Sequence, residues 1–122
     1  MKIAIDIRRV SDFGVGTYIR NIVRALSRLD RQNTYCLIGS PEKAGEIGPL
    51  PPNFKTVPFL QPDTTARGYF EFRVILRRLG CDLVHIPHLF WMPRALPCRA
   101  CVATWCIFRI FFPCLGCCPA RM

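Results

Sequence analysis

A chain of 122 residues holds one ordinary domain with a core of its own and excludes two. Seventeen Lys and Arg against eight Asp and Glu give a formal charge of +9, a balance suited to nucleic acid, an anionic membrane face or a phosphorylated ligand. The last acid is Asp82, so the excess reflects carboxylates missing toward the C-terminus as much as a basic patch, and Arg8, Arg9, Arg20, Arg24, Arg28 and Arg31 recur mostly at the spacing of a solvated helix face.

Eight cysteines suggest a disulfide scaffold, yet Met1 and Lys2 lead straight into a strand with no signal-peptide pattern before them. A cytoplasmic, reduced protein is the expectation. Cys36 and Cys81 fall in ordinary α/β positions, whereas the other six crowd between Cys98 and Cys118.

Lys2 to Ile7 (KIAIDI) is short, apolar and β-branched, and Gly14 and Gly16 follow it, as for a buried parallel strand running into a turn. From Thr17 the apolar residues Ile19, Ile22, Val23, Leu26 and Leu29 keep helical spacing with arginines opposite, predicting an amphipathic helix on a sheet. Thr34 to Ile38 (TYCLI) reads as the second strand and completes a βαβ unit with a right-handed crossover. Ser40 to Asn53, with four prolines and two glycines, reads as a loop holding at most one helical turn around Glu42 to Gly45 and no core. Phe54 to Phe59 (FKTVPF) is a short strand in which Pro58 marks an end or an edge. A helix from about Thr65 to Leu79 turns Tyr69, Phe72, Ile75, Leu76 and Leu79 inward and stops at Gly80. Asp82 to Ile86 (DLVHI) is the next buried strand, closed by Pro87, and Cys101 to Thr104 (CVAT) begins another.

A strand, a turn containing Gly14-Val15-Gly16 and a helix N-terminus are the parts with which backbone N–H groups meet a phosphate. The spacing differs from the dinucleotide fingerprint. The glycines begin seven residues beyond Ile7, and Ile19 stands where the third glycine belongs. A plain tight turn explains the glycines equally well.

Asp6-Ile7-Arg8-Arg9, Gly14-Val15-Gly16-Thr17-Tyr18-Ile19-Arg20-Asn21, Asp82-Leu83-Val84-His85-Ile86-Pro87-His88 and Cys101-Val102-Ala103-Thr104, in that order, resemble the N-terminal domain of family-four glycosyltransferases of the GT-B fold. The resemblance spans residues 1 to 104. It implies an α/β fold, a single Rossmann-like parallel-sheet half-domain that is the incomplete N-terminal half of a GT-B enzyme. In that family two such domains face each other across a cleft, the first binding mainly the acceptor and the second most of the nucleotide-sugar donor. The resemblance therefore implies a nucleotide-sugar donor and a hydroxyl acceptor as partners, with sugar transfer under retention, and it implies no resident cofactor, no metal and no nucleic acid.

Carried over by position, Gly14, Val15, Gly16 and Thr17 resemble the loop that approaches the donor phosphates, and Tyr18 lies on the helix beginning below it. His85 and His88, at and after a strand end, resemble the acceptor-side histidines, with a hydrogen-bonded structural role as the alternative. Arg8 and Arg9 either meet an anionic acceptor or line the cleft rim. No residue of this chain is assigned a catalytic role, and the chain is expected to be inactive alone.

The family continues its next strand as Thr, an apolar residue, then His-Asp; here Thr104 is followed by Trp105-Cys106-Ile107, and the second domain is missing. Trp is encoded only by TGG and Cys by TGT or TGC. Reading from the third base of codon 105 therefore spells Val-His or Val-Tyr directly after Thr104. A slip of reading frame near codon 105 is the expectation, with residues 105–122 as a missense tail. Two other readings of the tail stay open. Cys98-x-x-Cys101 and Cys114-x-x-Cys117 mimic a four-cysteine zinc site, though Cys101 begins a strand. The apolar run also permits peripheral membrane association, interrupted by Arg109 and Pro113. The remaining alternative for the whole chain is a non-catalytic module that binds a phosphorylated ligand or another protein.

Overall fold

A computed structural model describes residues 1–87 and 101–103. Over these the chain runs β1 (Lys2–Asp6), α1 (Val15–Leu29), β2 (Thr34–Gly39), α2 (Pro41–Ile47), β3 (Phe54–Pro58), α3 (Ala66–Leu79), β4 (Leu83–His85) and β5 (Cys101–Ala103). The strands form one sheet in the order β3-β2-β1-β4-β5, and every neighbouring pair is parallel. This is the α/β, Rossmann-like parallel arrangement expected from the sequence. Its order reverses direction between β1 and β4.

The alternation of β-strand side chains splits the core into two layers. On one face Ile5, Tyr35 and Leu37 pack with Ile19 and Val23 of α1 and with Ala44 and Ile47 of α2. On the other, Ala4, Cys36, Ile38 and Val84 pack with Phe72 and Leu76 of α3. Both faces are therefore covered by helix, which is why β1 and β2 read as continuous apolar runs rather than alternating ones. Tyr35 stacks on Phe54 with ring centroids 4.5 Å apart, tying β2 to the start of β3.

Three local expectations are corrected. The Ser40–Asn53 segment is more than a loop: Pro41–Ile47 is helical, because Ser40 Oγ accepts from the Lys43 N–H and Pro41 supplies a fixed φ in the first turn. It also contributes core, since Ala44 and Ile47 are buried against the sheet. Leu29, placed by spacing on the inner face of α1, is 84% exposed. The helix ends there at Asp30, whose N–H bonds to the Leu26 carbonyl, and Leu29 lies past the core cluster that Ile22 and Leu26 still pack against.

Other boundaries agree to within two residues. α1 begins at Val15 rather than Thr17. α3 starts after Thr65, whose Oγ1 accepts from the Gly68 N–H, and it stops at Gly80, whose N–H reaches the Leu76 and Arg77 carbonyls. Phe72 and Leu76 are buried, Ile75 and Leu79 pack against the same cluster, and Tyr69 is half-buried. Pro58 closes β3, which is the edge of the described sheet as its proline allows.

Candidate functional site

The reversal of strand order puts the ends of β1 and β4 side by side, with Ile5 paired to His85. Open parallel sheets leave a crevice at such a point, because the connections from the two strands depart in opposite directions.

Tyr18 and His85 meet here. Tyr18 Oη lies 3.2 Å from His85 Nε2, with the donor set by the histidine tautomer, and the rings are tilted with centroids 5.9 Å apart. Tyr18 is half-buried and His85 is buried at the end of β4. Desolvation raises the Tyr18 hydroxyl pKa above its ordinary value, so it stays protonated through neutral pH. The pair joins a hydroxyl to an imidazole nitrogen, groups that donate to and accept from a hydroxylated ligand. It links a residue just beyond the glycine turn to one 67 positions later.

The turn itself is tightly built. Gly14 has φ 76° and ψ −70°, the centre of a γ-turn closed by Val15 N–H donating to the Phe13 carbonyl at 2.9 Å. Gly16 is buried, and a Cβ there would lie 2.1 Å from the Val10 carbonyl oxygen. Its N–H donates to the Asp12 carbonyl. Two amides of the loop, those of Val15 and Gly16, thus already have acceptors within it, and the absence of a side chain at Gly16 is explained by the approach of Val10. Thr17 is exposed on the helix start and its Oγ1 accepts from Arg20.

Arg8 and Arg9 are held by carboxylates. Arg8 pairs with the buried Asp6, Nη2 to Oδ2 at 2.7 Å, and its guanidinium lies over Phe72 and Phe59, 4.6 and 5.3 Å from the ring centroids. Arg9 bonds Asp63 through Nε at 2.8 Å and Asp12 through Nη1 at 3.0 Å. Hydrogen bonds to those carboxylates, with smaller Coulombic contributions, raise its pKa, so its charge is fixed. Lys43 Nζ donates to the Arg8 carbonyl and Ser11 Oγ to Glu46, which fastens the loop to α2.

The structure therefore brings Tyr18 and His85 together beside the glycine turn and engages Arg8 and Arg9 in the rim. His88 lies outside the described residues, as do Cys98, Cys114 and Cys117 of the zinc-like spacing and the tail from Trp105; Cys101 begins β5. Among the described residues no group of three His, Cys, Asp or Glu is placed to hold a metal, and no helix is long and apolar enough to cross a membrane. Sequence reasoning missed the carboxylates that occupy the two arginines. Asp6 offered a signal, because a carboxylate ending a buried apolar strand requires a partner. Asp63, in a loop 54 residues from Arg9, offered none. Comparison with protein-family models, with curated proteins and with solved structures finds no match to this chain.

Proposed function

We propose that this chain is the acceptor-side Rossmann-like domain of a glycosyltransferase, working opposite a domain that holds most of a nucleotide-sugar donor. The observation that carries the reading is the Tyr18–His85 contact at the reversal of strand order, where parallel sheets bind ligands. The phenol and imidazole are suited to hold the hydroxyl that receives the sugar, under a loop of Gly14, Val15, Gly16 and Thr17 that faces the donor side. By sequence position alone, His88 resembles a second acceptor-side histidine. Arg8 and Arg9 shape the rim in this reading, since Asp6, Asp12 and Asp63 already take up their charges. Transfer proceeds with retention and requires both halves, so the chain alone binds without turnover and assists no nucleic acid chemistry. We place it in the cytoplasm, where Cys36 and Cys81 remain the free thiols they are here.

Ligand-observed NMR with nucleotide sugars, free sugars, sugar phosphates and a short RNA hairpin tests the reading. Binding of sugar-bearing compounds that is weakened in both Tyr18→Phe and His85→Ala supports it. Turnover of a nucleotide sugar by the 122-residue chain alone, or RNA binding with no response to sugars, overturns it.

A further inference from the structure

A concave site lies at the opposite end of the strands from Tyr18 and His85. α1 runs antiparallel to the strands beside it, so its C-terminal turns reach the edge where the strands begin, next to the segment that leads from α2 into β3. A groove of about 470 Å³ opens there, within the range of small-molecule sites. Arg24, Arg28 and Arg31 form one wall, and Ile47, Pro49 and Leu50 belong to the other.

Arg24 is built into the fold, its Nε donating to the Ile47 carbonyl at 2.7 Å. Arg28 and Arg31 are exposed, and neither forms an ion pair among the described residues. Among the described residues no carboxylate lines the groove. Arg24 and Arg28 are one helical turn apart, a spacing at which like charges repel. The C-terminal dipole of α1 favours Arg28 in the last turn but gives no account of Arg31, which lies past the helix end.

We propose that this groove binds a small soluble organic phosphate carrying an aliphatic substituent. Guanidinium forks match phosphate oxygens in geometry and charge. Among the described residues the lining contains no aromatic ring on which a base stacks, which disfavours a nucleic acid strand. Its aliphatic side chains suit a short alkyl group instead. The site is separate from the Tyr18–His85 crevice, and the proposal does not rest on the glycosyltransferase reading.

The test is an NMR titration of the whole chain with n-butyl phosphate, inorganic phosphate and n-butanol. Butyl phosphate is expected to shift the Ile47 and Leu50 methyls and the Arg28 and Arg31 Nε–H signals, and to bind about tenfold or more tightly than either fragment. The double variant Arg28→Ala/Arg31→Ala changes exposed positions, keeps its melting temperature, and weakens binding about tenfold or more. Leu50→Ser weakens butyl phosphate but leaves inorganic phosphate unchanged. Equal affinity for inorganic and butyl phosphate, undiminished binding by the double arginine variant, shifts confined to Tyr18 and His85, or binding only to phosphatidate vesicles each overturns the proposal.

Discussion

Asp6 and Arg8, two residues apart at the end of β1, close on each other: Arg8 Nη2 lies 2.7 Å from Oδ2, Nε 3.0 Å from Oδ1, and the Arg8 N–H donates to the same Oδ1 at 3.0 Å. Asp6 is 1% exposed, so these bonds replace the water its carboxylate oxygens lose on burial. Asp6→Ala leaves a largely buried guanidinium without its carboxylate and is expected to cost about 3 kcal/mol. The midpoint of urea denaturation reads this as a shift at constant slope. The double variant Asp6→Leu/Arg8→Met, which removes both charges, should lose less than the single.

Gly14 and Gly16 differ in why they are glycine, and two alanines separate the reasons. Gly14→Ala meets open space but must hold φ 76°, at a cost of about 1–3 kcal/mol from backbone strain. Gly16→Ala has an ordinary helical backbone but drives its Cβ into the Val10 carbonyl, with a similar loss of about 1–3 kcal/mol from overpacking. Thermal melts give both totals. Amide shifts distinguish them, since Gly16→Ala displaces Val10 and its neighbours whereas Gly14→Ala perturbs Phe13 and Val15.

Tyr35 makes stability fall in alkali. Its hydroxyl donates to Asp30 Oδ2 at 2.6 Å, and burial, then that hydrogen bond, pushes its pKa up to about 12. The folded state thus prefers the protonated phenol. The contribution is complete below the unfolded value near 10 and is lost as pH rises from there through about 12. Chemical denaturation across this interval should show the decline, and Tyr35→Phe should remove this component of it.

Asp30 acts in the other direction. Bonds from Tyr35, Asn33 and the Gln32 and Asn33 N–H groups lower its pKa below the usual carboxylate range. The stability it adds is present above an unfolded pKa of about 4 and declines as pH falls below it. Asp30→Asn should flatten the acid limb of the stability profile, measured by urea midpoints from pH 2 to 6.

Cys81 is expected to resist alkylation in the native protein. Burial, followed by its interaction with Cys36, pushes the thiol up to about 11. Relative to an ordinary thiol near 9, the thiolate fraction at pH 8 drops about hundredfold. Iodoacetamide labelling followed by peptide mass spectrometry should show Cys81 modified at least that much more slowly in native protein than in urea.

The strands and the two longer helices were legible because their signals are local. A β-branched run such as KIAID, an apolar repeat such as Ile19, Ile22, Val23 and Leu26, and a stop such as Gly80 each act within a few residues. The α2 segment is not legible in the sequence, because its prolines and glycines outweigh one capping serine, Ser40, whose hydrogen bond with the Lys43 N–H caps the helix. Leu29 failed for another reason: periodicity gives the direction a side chain faces, not how far the sheet extends beneath it.

By itself, then, the sequence determined a parallel α/β domain with a glycine turn after its first strand. Only the tertiary structure decided what surrounds that turn. Strand order depends on packing among segments distant in sequence, and it alone brings Tyr18 to His85. The same packing sets Asp63 against Arg9, while a local turn sets Asp6 against Arg8, so both arginines, which by sequence either meet an anionic acceptor or line the rim, are engaged by carboxylates. Meanwhile Arg28 and Arg31, which read as a plain solvated helix face, came to overlook a groove whose far wall arrives with α2 and the prolines after it. Charge pairing is decided by which groups share a neighbourhood, and a linear pattern does not contain that distance.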